Sequence, residues 1–173
     1  MMVGIPGSGK TTLRTAIFPD AAVVCPDDKI GYTAERPWTP EAAKAAWSKA
    51  TEELGTLLAG DAPVVVLDAT NTSVRARRKY FPVAISAGRQ MVAVWCDVPV
   101  CACVGRNQER DAFRRVPSFT IQSMAAKLSQ EPPSLSEGFH LVVRVREDGV
   151  SMVPSAECLC LDEIVGRFSP KGE

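Results

Sequence analysis

The run Gly4-Ile5-Pro6-Gly7-Ser8-Gly9-Lys10-Thr11 fills every fixed position of the pattern G-x-x-x-x-G-K-[ST]. An apolar segment precedes it and a helical run, Thr11–Phe18, follows. Gly7 and Gly9 let backbone N–H groups turn inward around phosphate oxygens and form a concave anion site. The helix behind the loop adds the partial positive charge of its N-terminus. In such a loop Lys10 reaches the β- and γ-phosphates of ATP, and the Thr11 hydroxyl ligates Mg²⁺. Gly4, Ser8 and Thr12 complete the expected nucleotide-binding set.

Two further apolar runs end in carboxylates. Ala21–Cys25 leads into Pro26-Asp27-Asp28, and Pro63–Leu67 leads into Asp68-Ala69-Thr70-Asn71. In an open parallel sheet, ligands sit at the carboxyl ends of the strands. An Asp at the first position can face a γ-phosphate and take the proton from an attacking hydroxyl. The other reading makes Asp27 or Asp28 the cap of a short helix, Lys29–Tyr32. Asp68 after a hydrophobic strand has the Walker B arrangement and places a carboxylate near Mg²⁺, directly or indirectly. A turn-forming Asp is the alternative there.

Arginines follow. Arg106 and Arg110 are four apart, share a face if helical, and Arg114 continues it. Guanidinium groups donate in pairs to phosphate, so this face could close over the transferring group as a lid spanning about 99–117. Arg75, Arg77, Arg78 and Lys79 put four positive charges in five residues, enough to hold a phosphate backbone or to make a solvated helix face.

These residues need a frame. Apolar runs alternating with helical patterns predict an α/β domain with a parallel sheet. Strands are expected at Met1–Val3, Ala21–Cys25, Pro63–Leu67, Gln90–Cys96 and His140–Val145, with Gly149–Val153 as an edge strand. Only three residues precede Gly4, so the first strand is expected to be clipped or the start codon misplaced. The clearest helix is Thr39–Leu58, capped by Thr39 and begun by Pro40, with Ala43, Ala46, Trp47, Ala50, Leu54, Leu57 and Leu58 on its apolar stripe. A helix from near Ser73 is expected to be kinked or divided by Pro82. Others are expected over Pro99–Phe113, after Pro117 and over Leu161–Phe168.

The chain has 173 residues, with 20 basic and 20 acidic side chains, so bulk charge advertises no nucleic-acid binding. That length fits one domain, 1–173, with a C-terminal extension from about 149. No apolar run nears the ~20 residues of a membrane span. No export signal is visible, so a cytoplasmic protein with reduced thiols is expected. Cys101-x-Cys103 and Cys158-x-Cys160 have the wrong spacing for zinc and read as buried apolar thiols.

The chain resembles the P-loop kinase domain of polynucleotide 5′-hydroxyl kinases and their small predicted-kinase relatives. Six segments carry the resemblance in the family's order: GIPGSGKTT at 4–12, PDD at 26–28, LDATN at 67–71, RNQER at 106–110, VPSFTIQSM at 116–124 and EPPSLSEGF at 131–139. The resemblance implies a three-layer sandwich around a parallel sheet of about five strands, with the P-loop strand central and a helical lid. It implies ATP and Mg²⁺ as cofactors. It makes Asp27 the general base, Lys10 and Thr11 the P-loop pair, Arg110 the lid arginine on the ATP phosphates, and Arg106 its neighbour. The family carries an Arg three residues after the base, on the acceptor's phosphate, where this chain has Ile30; Lys29 is basic but would point elsewhere. No D-x-D-x-T phosphatase motif is present.

Three functions compete. The first is transfer of the γ-phosphoryl group of ATP to the 5′-OH of DNA or RNA, with Asp28, Lys29, Asp68, Asn71, Arg75 and Arg78 as candidate acceptor contacts. The second is the same chemistry on another hydroxyl: a hydroxymethylated pyrimidine in DNA, a tRNA-linked group or a small metabolite. The third is a nucleotide-binding module without phosphotransfer, for which Asp27 and Arg110 would have no use.

Overall fold

The alternation of apolar runs and helical patterns is realised in the computed structural model, which describes residues 1–31, 33, 35 and 39–168. Strands β1 (Met2–Val3), β4 (Val92–Cys96) and β5 (Leu141–Arg146) pair in parallel, and β6 (Gly149–Pro154) adds antiparallel to β5. Strands β2 (Ala22–Val24) and β3 (Val65–Leu67) form a separate parallel pair. The expectation was one parallel sheet of about five strands with the P-loop strand central. In the structure β1 ends a four-stranded ladder, order β1-β4-β5-β6, and on its other side the chain meets the 68–71 turn rather than a strand ladder. The two units are joined past the strand ends: Gly4 N–H donates to the Thr70 carbonyl at 2.9 Å, and Asn71 Nδ2 donates to the Met2 carbonyl at 2.8 Å.

Side chains alternate along the strands and so build two cores. Val3, Trp95 and Val142 face α6 (Val100–Gln108) and α7 (Ser118–Gln130), where Cys103, Ile121 and Leu128 meet them. Met2, Val94, Leu141 and Val143 face α1 (Lys10–Ile17) and α8 (Leu161–Phe168), through Ile17, Phe18 and Ile164. Met2, Val3, Leu141 and Val143 are fully buried, each worth roughly 1.5–3 kcal/mol. This is the three-layer arrangement the sequence implied.

Helix α2 is Pro26–Ile30, so the expected short helix starts earlier and holds Asp27 and Asp28 in its first turn; Tyr32 lies outside the described residues. Helix α3 is Pro40–Ala59, and Thr39 Oγ1 accepts the Ala42 N–H at 3.1 Å. Its Ala50 and Leu54 pack with Val24, Leu67 and Tyr80, and Trp47 stacks on Tyr80 at 6.4 Å. Pro82 does divide the next helix, into α4 (Val74–Arg78) and α5 (Phe81–Ser86).

The helix expected over Pro99–Phe113 stops at Gln108, and Ala112–Arg114 is a separate 3₁₀ turn. The cause is buried Asn107, whose side chain donates to the Val116 carbonyl at 2.8 Å and accepts the Val116 N–H at 3.0 Å. That clamp folds residues 108–115 back on themselves. Arg106, Arg110 and Arg114 therefore do not share one helix face.

Residues 149–168 finish the sheet. β6 covers the edge of β5, and Arg167 of α8 lies over Phe18 at 5.1 Å and donates to the Ile17 carbonyl. Cys103 and Cys96 are buried in the two cores, and Cys101 is exposed. The Sγ atoms of half-buried Cys158 and Cys160 lie 3.6 Å apart. His140 is a strand-entry residue whose Nδ1 accepts the Met91 N–H. Among the described residues, no helix is long and apolar enough to cross a membrane.

Candidate active site

Strand β1 delivers Gly4 to the top of the sheet, and the chain turns through three positive φ angles, at Gly4 (154°), Gly7 (84°) and Gly9 (82°). Gly7 is fixed by packing as well as by conformation. A Cβ there would lie 2.3 Å from the Cys103 carbonyl oxygen, so α6 rests directly on the loop. A Cβ on Gly9 would meet nothing within 4 Å. Left-handed backbone alone costs a non-glycine residue about 1–2 kcal/mol. Gly7→Ala is therefore expected to lower the melting temperature well beyond Gly9→Ala, as read by thermal unfolding. Equal melting of the two variants would contradict the packing of α6 on the loop.

Lys10 opens α1, and its Nζ donates to the Ile5 carbonyl at 2.9 Å across the loop. Burial holds its ammonium below the usual lysine range; Cys96 and Asp68 pull the other way, and Arg110 adds to the lowering. Ser8 is buried. Thr12 follows Thr11 in the first turn of α1.

Asp68, at the end of β3, is 5% exposed. Its Oδ2 accepts from the Thr11 hydroxyl at 3.0 Å and from Arg14 Nε at 3.2 Å. The Walker A threonine and the strand-end carboxylate are thus in contact. The sequence reading missed Arg14. Its signal was its position three residues past Thr11, on the same face of α1. Thr11 and Asp68 are a hard-oxygen pair beside the phosphate loop, which is the donor chemistry Mg²⁺ takes.

Asp27 sits in the first turn of α2, reached from β2. Its side chain is exposed, yet partial desolvation by the neighbouring segments is the main cause of its carboxyl lying above the ordinary aspartate range. Lys10 and Arg110 pull it down, and Asp28 and Asp68 push it up. The charges of Lys10, Arg110, Asp28 and Asp68 thus all act on the Asp27 carboxyl. Arg106 Nη1 points at the Gly7 carbonyl at 3.5 Å, and its Nη2 lies 4.0 Å from Glu147. Arg110 follows just past α6, exposed, with its charge acting on both Lys10 and Asp27.

The candidate acceptor contacts divide. Asp28 is exposed beside Asp27, and Arg75 is exposed on α4. Lys29 turns away to pair with Glu53 of α3 at 2.6 Å. Asn71 is 3% exposed and bonds to Met2. Arg78 donates to the Ser136 carbonyl at 3.3 Å, and Lys79 lies over the Trp47 and Tyr80 rings. Arg77 is completely buried. The basic stretch at 75–79 is thus not a continuous phosphate-facing strip.

A family model described as an AAA domain, AAA_33, matches residues 1–132, the stretch that holds the loop, both aspartates and the arginines. The chain belongs to the AAA_33 family. Among solved structures, this AAA_33 chain is similar to the AvrRxo1-ORF1:-ORF2 complex, with 16% identity and a TM-score of 0.66 over 98% of this chain and 63% of that one. It is similar to a putative kinase from Chloroflexus aurantiacus, with 16% identity and a TM-score of 0.60 over 84% and 85% of the two chains. A third is the Pnkp1/Rnl/Hen1 RNA repair complex, with 21% identity and a TM-score of 0.63 over 90% and 47%. The chain spans less than two thirds of the first of these and about half of the third. No curated protein matched the sequence. At these identities the likeness is one of fold, an α/β P-loop fold shared with the putative kinase among them.

Proposed function

We propose that this AAA_33 domain is a kinase that moves the γ-phosphoryl group of ATP to a hydroxyl acceptor, with the 5′-OH end of DNA or RNA as the leading acceptor. The observation that carries the reading is the phosphate loop with its Thr11 hydroxyl on Asp68 at 3.0 Å, beside which the first turn of α2 presents Asp27, a carboxyl on which the charges of Lys10 and Arg110 act. A module that only bound nucleotide would need no such base. The loop amides and Lys10 hold the donor's phosphates. Arg110 and Arg106 sit where charge spreads over the transferring group, and Asp27 takes the acceptor's proton as its oxygen attacks in line. Mg²⁺ would be held by the Thr11 hydroxyl and, directly or through water, by Asp68. When bound it neutralises charge on the β- and γ-oxygens. The likeness in fold to a protein described as a putative kinase is in keeping with phosphotransfer, and the likeness to a chain of an RNA repair complex is in keeping with a nucleic-acid acceptor.

A second reading is the same transfer to another hydroxyl: a hydroxymethylated pyrimidine, a tRNA-linked group or a small metabolite. Ile30 and the diversion of Lys29 to Glu53 favour it, since both remove cations from the place where an end-kinase grips phosphate. The readings separate with γ-labelled ATP and four acceptors: 5′-OH DNA, 5′-OH RNA, 5′-phosphorylated DNA carrying hydroxymethylpyrimidine, and free nucleosides. Label is expected on 5′-OH ends, at a rate that falls as salt rises. Label confined to the modified base or to nucleosides overturns the end-specific reading and keeps the kinase.

A further inference from the structure

Arg77 is fully buried, and the catalytic scheme above makes no use of it. Its fork closes on Glu137, with Nε to Oε2 at 2.7 Å and Nη2 to Oε1 at 2.8 Å. Nη2 also donates to the Glu131 carbonyl at 2.8 Å, and Nη1 to the Asn71 carbonyl at 3.1 Å. Glu131 returns the tie, its Oε2 accepting the Val74 N–H at 2.9 Å. Glu137 in turn closes a capping box with Ser134. One buried ion pair thus fastens the segment after β3 to the segment between α7 and β5.

The point of attachment matters. Asn71 is the one non-glycine residue at positive φ (47°) among those described. A side-chain-bearing residue stays in that region only where its surroundings over-determine it. Here Asn71 is held from both sides, by the Met2 carbonyl and by Arg77. The residue before it accepts the Gly4 N–H, the first amide of the phosphate loop. Three residues before Asn71 stands Asp68, in contact with Thr11. The chain of contacts runs without a gap from Glu137 through Arg77 and the 68–71 turn to both ends of the Gly4–Thr11 loop.

We propose that the buried Arg77–Glu137 pair is a positioning device, which sets the Asp68–Asn71 turn against the phosphate loop. Its catalytic consequence rests on the phosphotransfer reading; its structural consequence does not. A purely structural ion pair can be replaced by apolar residues of similar volume with little loss of stability, whereas removing one partner strands a buried charge. The test is therefore the double variant Arg77→Met/Glu137→Leu in the full chain. It keeps the packing volume and loses the donors to the Asn71 and Glu131 carbonyls and the acceptor of the Ser134 N–H.

Two amides report by hydrogen exchange: Gly4 N–H, bonded to Thr70, and Val94 N–H, bonded to Met1. The expected result is a folded protein of somewhat lower melting temperature, with unchanged protection at Val94 and protection at Gly4 reduced by at least about tenfold. Catalysis should fall chiefly in kcat, on the order of 10–100-fold, with KM for ATP little changed, as when a distant change misplaces reacting groups by an ångström. Normal Gly4 protection in a folded double variant overturns the proposal. If that variant does not fold, Arg77→Lys is read in the same way, because Lys keeps the charge but cannot reproduce the fork. Exchange is independent of turnover. Wild-type protein without phosphotransfer would sink the kinase reading alone, and an unmoved Gly4 amide would sink the positioning device alone.

Discussion

Asp27→Asn protein is expected to bind ATP-Mg²⁺ as wild type does and to transfer the γ-phosphoryl group about 10²–10⁴-fold more slowly, the usual worth of a positioned general base. The substitution keeps the shape of the side chain and removes only its basicity. A hydroxyl has little nucleophilicity until its proton has somewhere to go. Asp28→Asn should be far milder, because Asp28 acts on Asp27 only as a neighbouring charge that raises its carboxyl. Single-turnover transfer with labelled ATP, beside a nucleotide-binding titration, separates the two effects. Equal losses in the two variants would mean that the base has been misassigned. The pH profile gives a second check. Desolvation raises the Asp27 carboxyl, so its ionised, proton-accepting form disappears at a higher pH than for an ordinary aspartate. In wild type the acid limb of kcat/KM should lie above the ordinary aspartate range, falling as pH drops through the raised pKa. Asp27→Asn should have lost that limb.

Lys10→Ala should cost on the order of 10²–10³ in rate or more, while leaving circular dichroism and melting close to wild type. Its ammonium is held across the loop by the Ile5 carbonyl, and burial keeps it below the usual lysine range. A phosphate oxygen is the partner that compensates such a desolvated charge, and more so as negative charge develops on the transferring group. Alanine removes that compensation without touching the glycines that shape the loop. Near-normal turnover by a folded Lys10→Ala protein would refute the phosphate-loop assignment.

The phosphate loop was legible because its geometry is local. Gly4, Gly7 and Gly9 encode the turns, and Lys10 and Thr11 stand at fixed offsets from them. The Thr39 cap, the break at Pro82, the places of the strands along the chain and the closing helix were legible for the same reason, since each follows from neighbours within a few residues. Asp68 was placed near Thr11 from its position at a strand end, because parallel strands carry their carboxyl ends to one side.

What the tertiary structure decided was the fate of residues that look alike in one dimension. Arg75, Arg77 and Arg78 form one basic run, yet Arg77 is buried on Glu137, sixty positions away, while Arg75 is exposed. Lys29 looked free for an acceptor and found Glu53. Arg110 and Arg114 read as helix-face partners of Arg106 until the Asn107 side chain claimed Val116 and ended the helix. Local pattern fixes backbone conformation over a turn or two. The partner of a charged or amide side chain is chosen by desolvation, which penalises any polar group left unpaired in the interior. That choice exists only once distant segments have been packed together.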